Sequence, residues 1–398
     1  MSDMTSRSWS RSQRALVLGA FALIGILFIL VTRRGPDVNI DVIAADAGAW
    51  RLGTSGTMEL GAFEGTTPWL VEDKNGRLVS NRPPGLIGIA LPAYWLMGSE
   101  TFTNGPGSFT ALISTLGAVA LLFVLLLRHF EPEFAAAAIA VFAVGTTTWT
   151  VSAAQLWPHG PGQLMAALCL TFLAQERYLL TGLAGAFAIL IRPAAAVYVS
   201  ALGFVRSWQL RSPWPLFKIG VTSLLGMVGL LTYNRWLFGV WSISGGYSDA
   251  FTTGAIERFT LIGYLQNLLA TFVLPPNGLL LYSPVIAVAA VGCQRVWSTI
   301  PAWARSAALA GLFYILVHAA LNRASGGMPI FYRYPLEGLT LAMPALTWGA
   351  EHLWKGGRFG RSFLLFSALF SVGLLIVNAF YLECRDPAAS LMACEFVG

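Results

Sequence analysis

Three ionisable side chains lie within or next to apolar segments of this sequence, namely Asp41, His159 and Arg192. Asp41 follows the first apolar segment, where a carboxylate could act as a general base or cap the start of a helix. His159 begins an apolar segment after Trp157, where it could belong to a site or cap a helix beside an aromatic anchor. Arg192 is the single charge in residues 178–205. The sequence contains no Walker loop, paired CxxC or HExxH motif, so the common soluble-enzyme chemistries are not indicated.

Arg192 precedes Pro193 and lies midway along a stretch with cations at both ends. By the positive-inside rule, Arg177 at one end and Arg206 and Arg211 at the other should lie on the cytoplasmic side. A helical hairpin places both ends on one side of the membrane, whereas a single spanning helix does not. Each arm has about 14 residues and spans roughly 21 Å, short of a hydrocarbon core of about 30 Å. We therefore expect Arg192 below the outer surface, facing protein or a water-filled cavity, either as a structural charge or as a site residue.

The composition indicates that these residues belong to a membrane protein. Of 398 residues, 56% are hydrophobic and 11% are charged, against roughly 25% charged in soluble domains. These values exclude a disordered chain, a disulfide-rich miniprotein and a coiled coil, and they argue against a soluble two-domain enzyme. At about 20 residues per span, eleven stretches are predicted to cross the bilayer: 15–32, 106–127, 133–152, 160–175, 178–191, 193–205, 216–237, 277–294, 304–322, 336–350 and 363–382.

The distribution of charge predicts the orientation of these spans. With the N-terminus inside, the predicted cytoplasmic segments hold 13 cations and five acids, and the remaining segments hold 12 cations and 14 acids. Short inner loops then carry the basic residues, as the positive-inside rule expects, and the C-terminus lies outside. The net charge of +6 reflects this topology and gives no reason to expect a nucleic-acid partner. Every Asp and Glu is predicted to fall outside the spans.

Two predicted outer loops are large enough to build a site. The first, 33–105, should contain a short helix at 42–53, a β-hairpin at 70–80 with Asn75-Gly76 in its turn, and a juxtamembrane helix at 84–98 that does not cross. The second, 238–276, contains Tyr247. Cys384 and Cys394 lie in the predicted outer tail, where an oxidising compartment would permit a disulfide. Several tryptophans are expected to form an outer aromatic belt: Trp50, Trp69, Trp95 and Trp241.

A series of short motifs occurs in order between residues 41 and 344. The motifs are a helix that starts at Asp41 and closes at GTMEL (56–60), NGRLVSNRPPG (75–85), RP (192–193), YN, FG and GY (233–247), PNGLLLYSP (276–284) and FYRYPL (331–336). Each is short, but their order and spacing resemble those of bacterial GT-C glycosyltransferases, related to the phospholipid-carrier-dependent glycosyltransferases. The chain departs from the family pattern at Val42, where the family has a second acid, at Ala45, where it has an aromatic residue, and at Asn81-Arg82, where it has a basic-aromatic pair.

The resemblance implies an all-α polytopic GT-C fold, with residues 1–398 as a single transmembrane domain in the bacterial cytoplasmic membrane. It implies a transferase that moves a hexosyl or pentosyl group from polyprenyl phosphate to a hydroxyl at the outer face, with inversion. Asp41 would be the base and Arg192 would meet the donor phosphate. Further substrate contacts would come from Arg82, Arg333, His159, Tyr247, Asp46 and Tyr282. The acceptor could be a glycan, a lipid or a protein; no metal-ligand cluster is visible, and a divalent cation remains an open question.

Other roles are compatible with the same residues. A transporter or flippase of lipid-linked glycans usually has acids at the membrane midplane and repeated halves, and neither is predicted here. A polymerase or ligase of whole lipid-linked glycans, or a non-catalytic subunit of an envelope-assembly machine, would share the fold. Asp46 could lie on a solvated helix face, and Arg333 could be an interfacial anchor.

Overall fold

The computed structural model describes residues 10–32, 39–98, 100–246, 259–322, 332–383 and 395–396 of the chain. They form a helical bundle with two small antiparallel sheets. The helices are α1 (Arg11–Val31), α2 (Ile40–Ser55), α3 (Pro84–Met97), α4 (Gly105–Leu126), α5 (Pro132–Val144), α6 (His159–Ala174), α7 (Tyr178–Ile191), α8 (Ala195–Leu210), α9 (Trp214–Phe238), α10 (Leu261–Phe272), α11 (Leu279–Tyr282), α12 (Pro284–Arg295), α13 (Ala302–Leu321), α14 (Leu336–Lys355) and α15 (Arg358–Tyr381). The strands are β1 (Leu70–Glu72), β2 (Leu78–Ser80), β3 (Leu382–Glu383) and β4 (Glu395–Phe396).

Each stretch predicted to cross the bilayer contains helix in the described residues. Two of them are interrupted, because α5 ends at Val144 within 133–152 and Ser283 separates α11 from α12 within 277–294. Five of these helices are long and apolar enough to span a membrane, namely α1, α4, α9, α13 and α15. Large apolar side chains on α9 are more than half exposed, including Leu224, Leu225 and Val228, and such a surface requires a lipid environment. The chain is therefore a helical multi-pass membrane protein, while the number of spans and their orientation stay predictions.

The second predicted outer loop contains the helix α10. The Thr260 hydroxyl caps this helix by accepting a hydrogen bond from the Gly263 N–H at 3.0 Å. Twelve residues are too few to cross a bilayer but enough for a helix at its surface. Tyr247 in this loop, and Cys384 and Cys394 between β3 and β4, lie outside the described residues, so the predicted disulfide stays a prediction.

Glycines allow α7 and α9 to pack closely. A Cβ added to Gly226 on α9 would lie 2.2 Å from the Ala186 carbonyl oxygen on α7. A Cβ added to Gly182 on α7 would lie 2.3 Å from the Ile219 carbonyl oxygen on α9. Small residues at membrane helix interfaces permit this backbone approach. The contact fixes α7, and with it Arg192 at its end.

The predicted hairpin is confirmed, with Leu70 on β1 opposite Ser80 on β2. Its turn depends on Asp73, whose carboxylate accepts hydrogen bonds from the Arg77 N–H at 3.0 Å and from the Arg77 guanidinium at 2.7 Å. Burial raises the pKa of the Asp73 carboxyl, but the hydrogen bonds from Arg77 outweigh burial and bring the pKa below its ordinary value. Gly76 adopts a φ of +76°, which glycine tolerates without strain. The hairpin is thus a firm platform beside α2.

Gly226→Ala is expected to destabilise the protein, because the added methyl group would overlap the Ala186 carbonyl. The expected cost is about 1–3 kcal/mol, seen as a lower midpoint of thermal unfolding in detergent. Gly220→Ala on the same helix is the matched control, since nothing lies within 4 Å of its added Cβ. Equal midpoints for the two variants would contradict this packing.

Candidate active site

Asp41 lies in the first turn of α2 but is not its N-cap. Asn39 is the N-cap, and its side chain accepts a hydrogen bond from the Asp41 N–H at 2.9 Å. The start of the helix is held further by the Asn39 N–H, which donates to Gln155 Oε1 at 3.0 Å, and by the Thr67 hydroxyl, which donates to the Ile40 carbonyl at 2.7 Å. The capping interpretation of Asp41 is therefore wrong. Its carboxylate lies at the positive end of the helix dipole and is available for other contacts.

The hairpin brings two partners to Asp41. Trp69 precedes β1 and Arg82 follows β2, and the Asn81 N–H donates to the Trp69 carbonyl at 3.1 Å, which extends the pairing of the two strands. The Trp69 indole N–H donates to Asp41 Oδ1. The Arg82 guanidinium lies over the Trp69 ring at 4.5 Å, and its Nη2 lies 3.7 Å from Asp41 Oδ1. Trp69, expected in the aromatic belt, is thus part of this cluster.

Arg333 approaches the second oxygen of Asp41. Its Nη1 lies 3.5 Å from Oδ2, and its guanidinium stacks on Trp157 at 4.5 Å and lies 5.3 Å from the ring centre of Tyr334. Arg333 is only 7% exposed, which contradicts its interpretation as an interfacial anchor. Both arginine distances to Asp41 exceed ordinary hydrogen-bond lengths. The carboxylate, 19% exposed, is therefore flanked by two cations without being locked to either.

Arg192 lies in the helix break between α7 and α8, as predicted, and it faces protein. Its Nη1 donates to Glu337 Oε1 at 2.9 Å. Its guanidinium lies 5.1 Å from the ring centre of Tyr334, the ring that Arg333 also contacts. Tyr334 therefore joins the two arginines into one cluster that extends from Asp41 to Glu337.

His159 shares the same oxygen of Glu337. Its Nδ1 lies 3.1 Å from Glu337 Oε1 and 3.2 Å from Arg192 Nη1. An anionic oxygen at this distance favours a proton on Nδ1, because an unprotonated Nδ1 would direct a lone pair at the carboxylate. Arg192 then donates to Glu337 and not to the imidazole. In a neutral ring this leaves Nε2 as the hydrogen-bond acceptor of His159.

Glu337 is the member of the cluster that the sequence prediction missed. It is 1% exposed and occupies the second position of α14, within the predicted span 336–350. The expectation that every acid lies outside the spans is therefore wrong. An ionisable side chain inside an apolar span is itself a signal of a functional site. That rule, applied to residues 336–350, would have selected Glu337 from the sequence.

Asp46 is fully buried and does not lie on a solvated helix face. The Tyr94 hydroxyl donates to its Oδ1 at 2.9 Å, and Oδ2 has no hydrogen-bond partner among the described residues. Burial raises the pKa of Asp46 to about 8, an effect that the hydrogen bond from Tyr94 only partly offsets. The Asp46 side chain is thus engaged with α3 through Tyr94, and its substrate contact stays a prediction.

The remaining candidates are less informative. Tyr282 is buried on α11, which packs against α10, α12 and α15. Tyr247 lies outside the described residues. Among the described residues, no group of three or more His, Cys, Asp or Glu side chains could hold a metal ion.

The pKa of Asp46 predicts a dependence of stability on pH. The carboxyl titrates near pH 4 when the chain is unfolded and near 8 when it is folded. Between these values the folded state keeps a proton that the unfolded state has lost, so stability should fall as the pH rises from about 4 to about 8. Asp46→Asn keeps an acceptor for Tyr94 and should remove this decline in thermal-unfolding midpoints. An equal decline in the variant and the wild type would contradict a buried proton on Asp46.

The solved structures that are similar to this chain include two membrane proteins. ArnT from Cupriavidus metallidurans in the apo state matches with a TM-score of 0.56 and 13% identity over 89% of this chain. The archaeal oligosaccharyltransferase AglB from Archaeoglobus fulgidus, in complex with an inhibitory peptide and a dolichol-phosphate, matches with a TM-score of 0.51 and 11% identity over 93% of this chain. The matches cover 62% of the ArnT chain and 56% of the AglB chain. No family model and no curated protein matches the sequence. The likeness confirms the fold that the GT-C resemblance implies.

Proposed function

We propose that this protein is a glycosyltransferase that moves a sugar from a polyprenyl-phosphate donor to an acceptor hydroxyl, with inversion at the anomeric carbon. The observation that carries the proposal is the charge of the cluster. Among the described residues, Arg82 and Arg333 lie beside Asp41, and Arg192 is paired with Glu337. A phosphodiester is an anion, and closely spaced arginines are suited to bind one. The fold shared with AglB, a structure with bound dolichol-phosphate, is consistent with such a ligand.

Asp41 is the proposed general base. Its carboxylate takes the proton of the acceptor hydroxyl as the oxygen attacks the anomeric carbon, and the bond between that carbon and the phosphate oxygen breaks. The leaving phosphate keeps the electron pair, so a strong general acid is not required. One displacement of this kind inverts the anomeric centre. Asp41 is suited to the role because its contacts with Arg82 and Arg333 are longer than hydrogen bonds and leave it partly exposed.

The arginines are the proposed binding site for the phosphate. The released lipid phosphate is a monoester, whose second pKa is about 6 and whose charge therefore approaches −2 at pH 7. Positive groups around it consequently bind the departing phosphate better than the intact donor, which is the condition for catalysis. In this proposal Glu337 uses one nitrogen of Arg192, and the rest of the guanidinium fork is directed at the phosphate.

The location of the reaction follows from the charge bias of the sequence. The positive-inside rule assigns α2, the hairpin and the ends of α7 and α14 near Arg192 and Glu337 to the outer side. We therefore infer a site on the extracytoplasmic side of a bacterial cytoplasmic membrane. A lipid carrier can present its sugar there while its own chain stays in the membrane.

A transporter of lipid-linked glycans is the second candidate, and Glu337 is the observation that favours it. Buried acids paired with arginines occur along transport pathways. Glu337, however, occupies the first turn of α14 beside the Asp41 cluster, whereas transporter sites lie near the bilayer midplane. The glycosyltransferase proposal accounts for the position of both carboxylates.

Asp41→Asn should reduce transfer by about 10²–10⁴-fold, because the acceptor hydroxyl would lose its base. Donor binding should be unchanged or tighter, because the cluster would gain one positive charge. Radiolabelled transfer and donor-binding assays in detergent would measure the two effects. Glu64→Gln, an exposed carboxylate in the same predicted loop, is the control and should transfer normally. Full transfer by the Asp41 variant would contradict the base role.

Arg192→Lys should raise the KM for the donor by about tenfold and leave the KM for the acceptor unchanged. The substitution keeps a positive charge for buried Glu337 but removes the planar fork that matches a phosphate. Arg128→Lys, an exposed residue just after the far end of α4, is the matched control. A larger effect on the acceptor than on the donor would contradict the phosphate role of Arg192.

A further inference from the structure

Asp46 occupies a notch in the first turn of α4. The notch is the space beside Gly107, the third residue of that helix, where any other amino acid would place a Cβ atom. A Cβ added to Gly107 would overlap Asp46 Oδ1 and lie 2.7 Å from Asp46 Cγ. Both residues are buried. Glycine at position 107 therefore leaves the room that the carboxyl group of Asp46 fills, and a larger residue there would displace that group.

The carboxyl group fills the notch mainly in its uncharged form. Burial raises the pKa of Asp46 to about 8, so at pH 7 the carboxyl group keeps its proton in most molecules. Its hydrogen-bond donor is the uncharged hydroxyl of Tyr94 on α3, at 2.9 Å from Oδ1. A neutral acid can pack among apolar helices, whereas an ionised one would need a paired charge there. Asp46 is therefore suited to hold helices together.

The helix that carries the notch also holds the other half of the candidate site. A Cβ added to Gly160 in the first turn of α6 would lie 2.8 Å from Thr115 Oγ1 and 3.3 Å from the Ala111 carbonyl oxygen, both on α4. Gly160 follows His159, whose imidazole contacts Glu337. Ala111 lies four residues, about one turn, after Gly107. One segment of α4 is thus the common support of α2 and of the start of α6.

The helix α2 transmits the position of the notch to Asp41. Asp41 and Asp46 belong to one continuous helix, and the five residues between them correspond to about 7.5 Å along its axis. Asp41 Oδ2 lies 3.5 Å from Arg333 Nη1, so a small movement of α2 would change the surroundings of the carboxylate. Displacement of a reacting group by about 1 Å can cost about 10²-fold in rate.

From these contacts we propose that Asp46 is a positioning residue for the reaction. Its carboxyl group locks α2 into the notch at Gly107, and α2 in turn places Asp41 beside the arginines of the cluster. This inference rests on the proposed function, because it takes Asp41 as the base. It assigns Asp46 a role different from the substrate contact that the GT-C resemblance implies. The role requires the shape of the carboxyl group and an acceptor for Tyr94, but no charge.

The first test compares two substitutions of Asp46 by transfer kinetics in detergent. Asp46→Asn keeps the shape of the neutral acid and an acceptor for Tyr94, so it should lower kcat by no more than about threefold. Asp46→Ala empties the notch and should lower kcat by about tenfold or more. The KM values for donor and acceptor should stay within about twofold of wild type, because the groups proposed to bind the substrates are unchanged.

The second test exchanges the two sides of the contact. Gly107→Ala should lower kcat by about tenfold or more and lower the midpoint of thermal unfolding, because the added methyl group takes the place of Asp46 Oδ1. Combining Gly107→Ala with Asp46→Ala should raise kcat at least about fivefold above Gly107→Ala and raise the midpoint, because the methyl group then fills the emptied notch. Gly105→Ala in the same turn is the matched control, since its added Cβ would lie 3.6 Å from Thr103 Oγ1, an ordinary contact.

Two results would overturn the inference. One is a loss of transfer in Asp46→Asn at wild-type stability, which would assign the carboxyl group to the substrate site. The other is a double variant no more active than Gly107→Ala. If the wild type transfers no sugar, the proposed function fails by itself. Recovery of the unfolding midpoint in the double variant would then still support the lock between α2 and α4, and a midpoint that does not recover would overturn it.

Discussion

The buried ion pair between Arg192 and Glu337 is the interaction on which this end of the molecule depends. Removing either partner would leave an uncompensated charge among apolar helices, which costs several kcal/mol. Each charge also lies at a favourable helix end, since Arg192 follows the C-terminus of α7 and Glu337 begins α14. The break between α7 and α8 and the start of α14 must therefore lie at one level of the bundle. Tyr332 and Arg333, just before α14, are placed at that level as a result.

The same principle extends to Asp41, which lies in the first turn of α2 at the positive end of its dipole. Asp41, Arg192 and Glu337 thus lie at helix ends, and aromatic rings pack against the three arginines of the cluster. Trp69 lies under Arg82, Trp157 under Arg333, and Tyr334 between Arg333 and Arg192. Such stacking uses the planar face of the guanidinium. The rings therefore help to fix the positions of the three arginines.

The sequence predicted what depends on local pattern and missed what depends on tertiary contact. Hydropathy located the helices, and Asn75-Gly76 in the turn made the hairpin recognisable. The Arg192 break was predictable because two short arms between cations cannot form one span. Asn39 was missed as the cap of α2 because Asn39 and Asp41 are equally good capping residues. The partners of Trp69 were not predictable, since the stacking of Arg82 on it arises only when the hairpin pairs.

The short α7 sets the depth of Arg192 in the predicted topology. Its fourteen residues span about 21 Å, less than the hydrocarbon thickness of about 30 Å, so in the predicted topology its end lies below the outer membrane surface. The phosphate of the proposed donor would bind there near the depth of its own lipid, and its chain would not be drawn far into water. Gly85 brings α3 against this recessed end, and α9 flanks it on the bilayer side. In the proposed function, one recessed helix end therefore places Arg192 at the depth where a lipid carrier would present its phosphate.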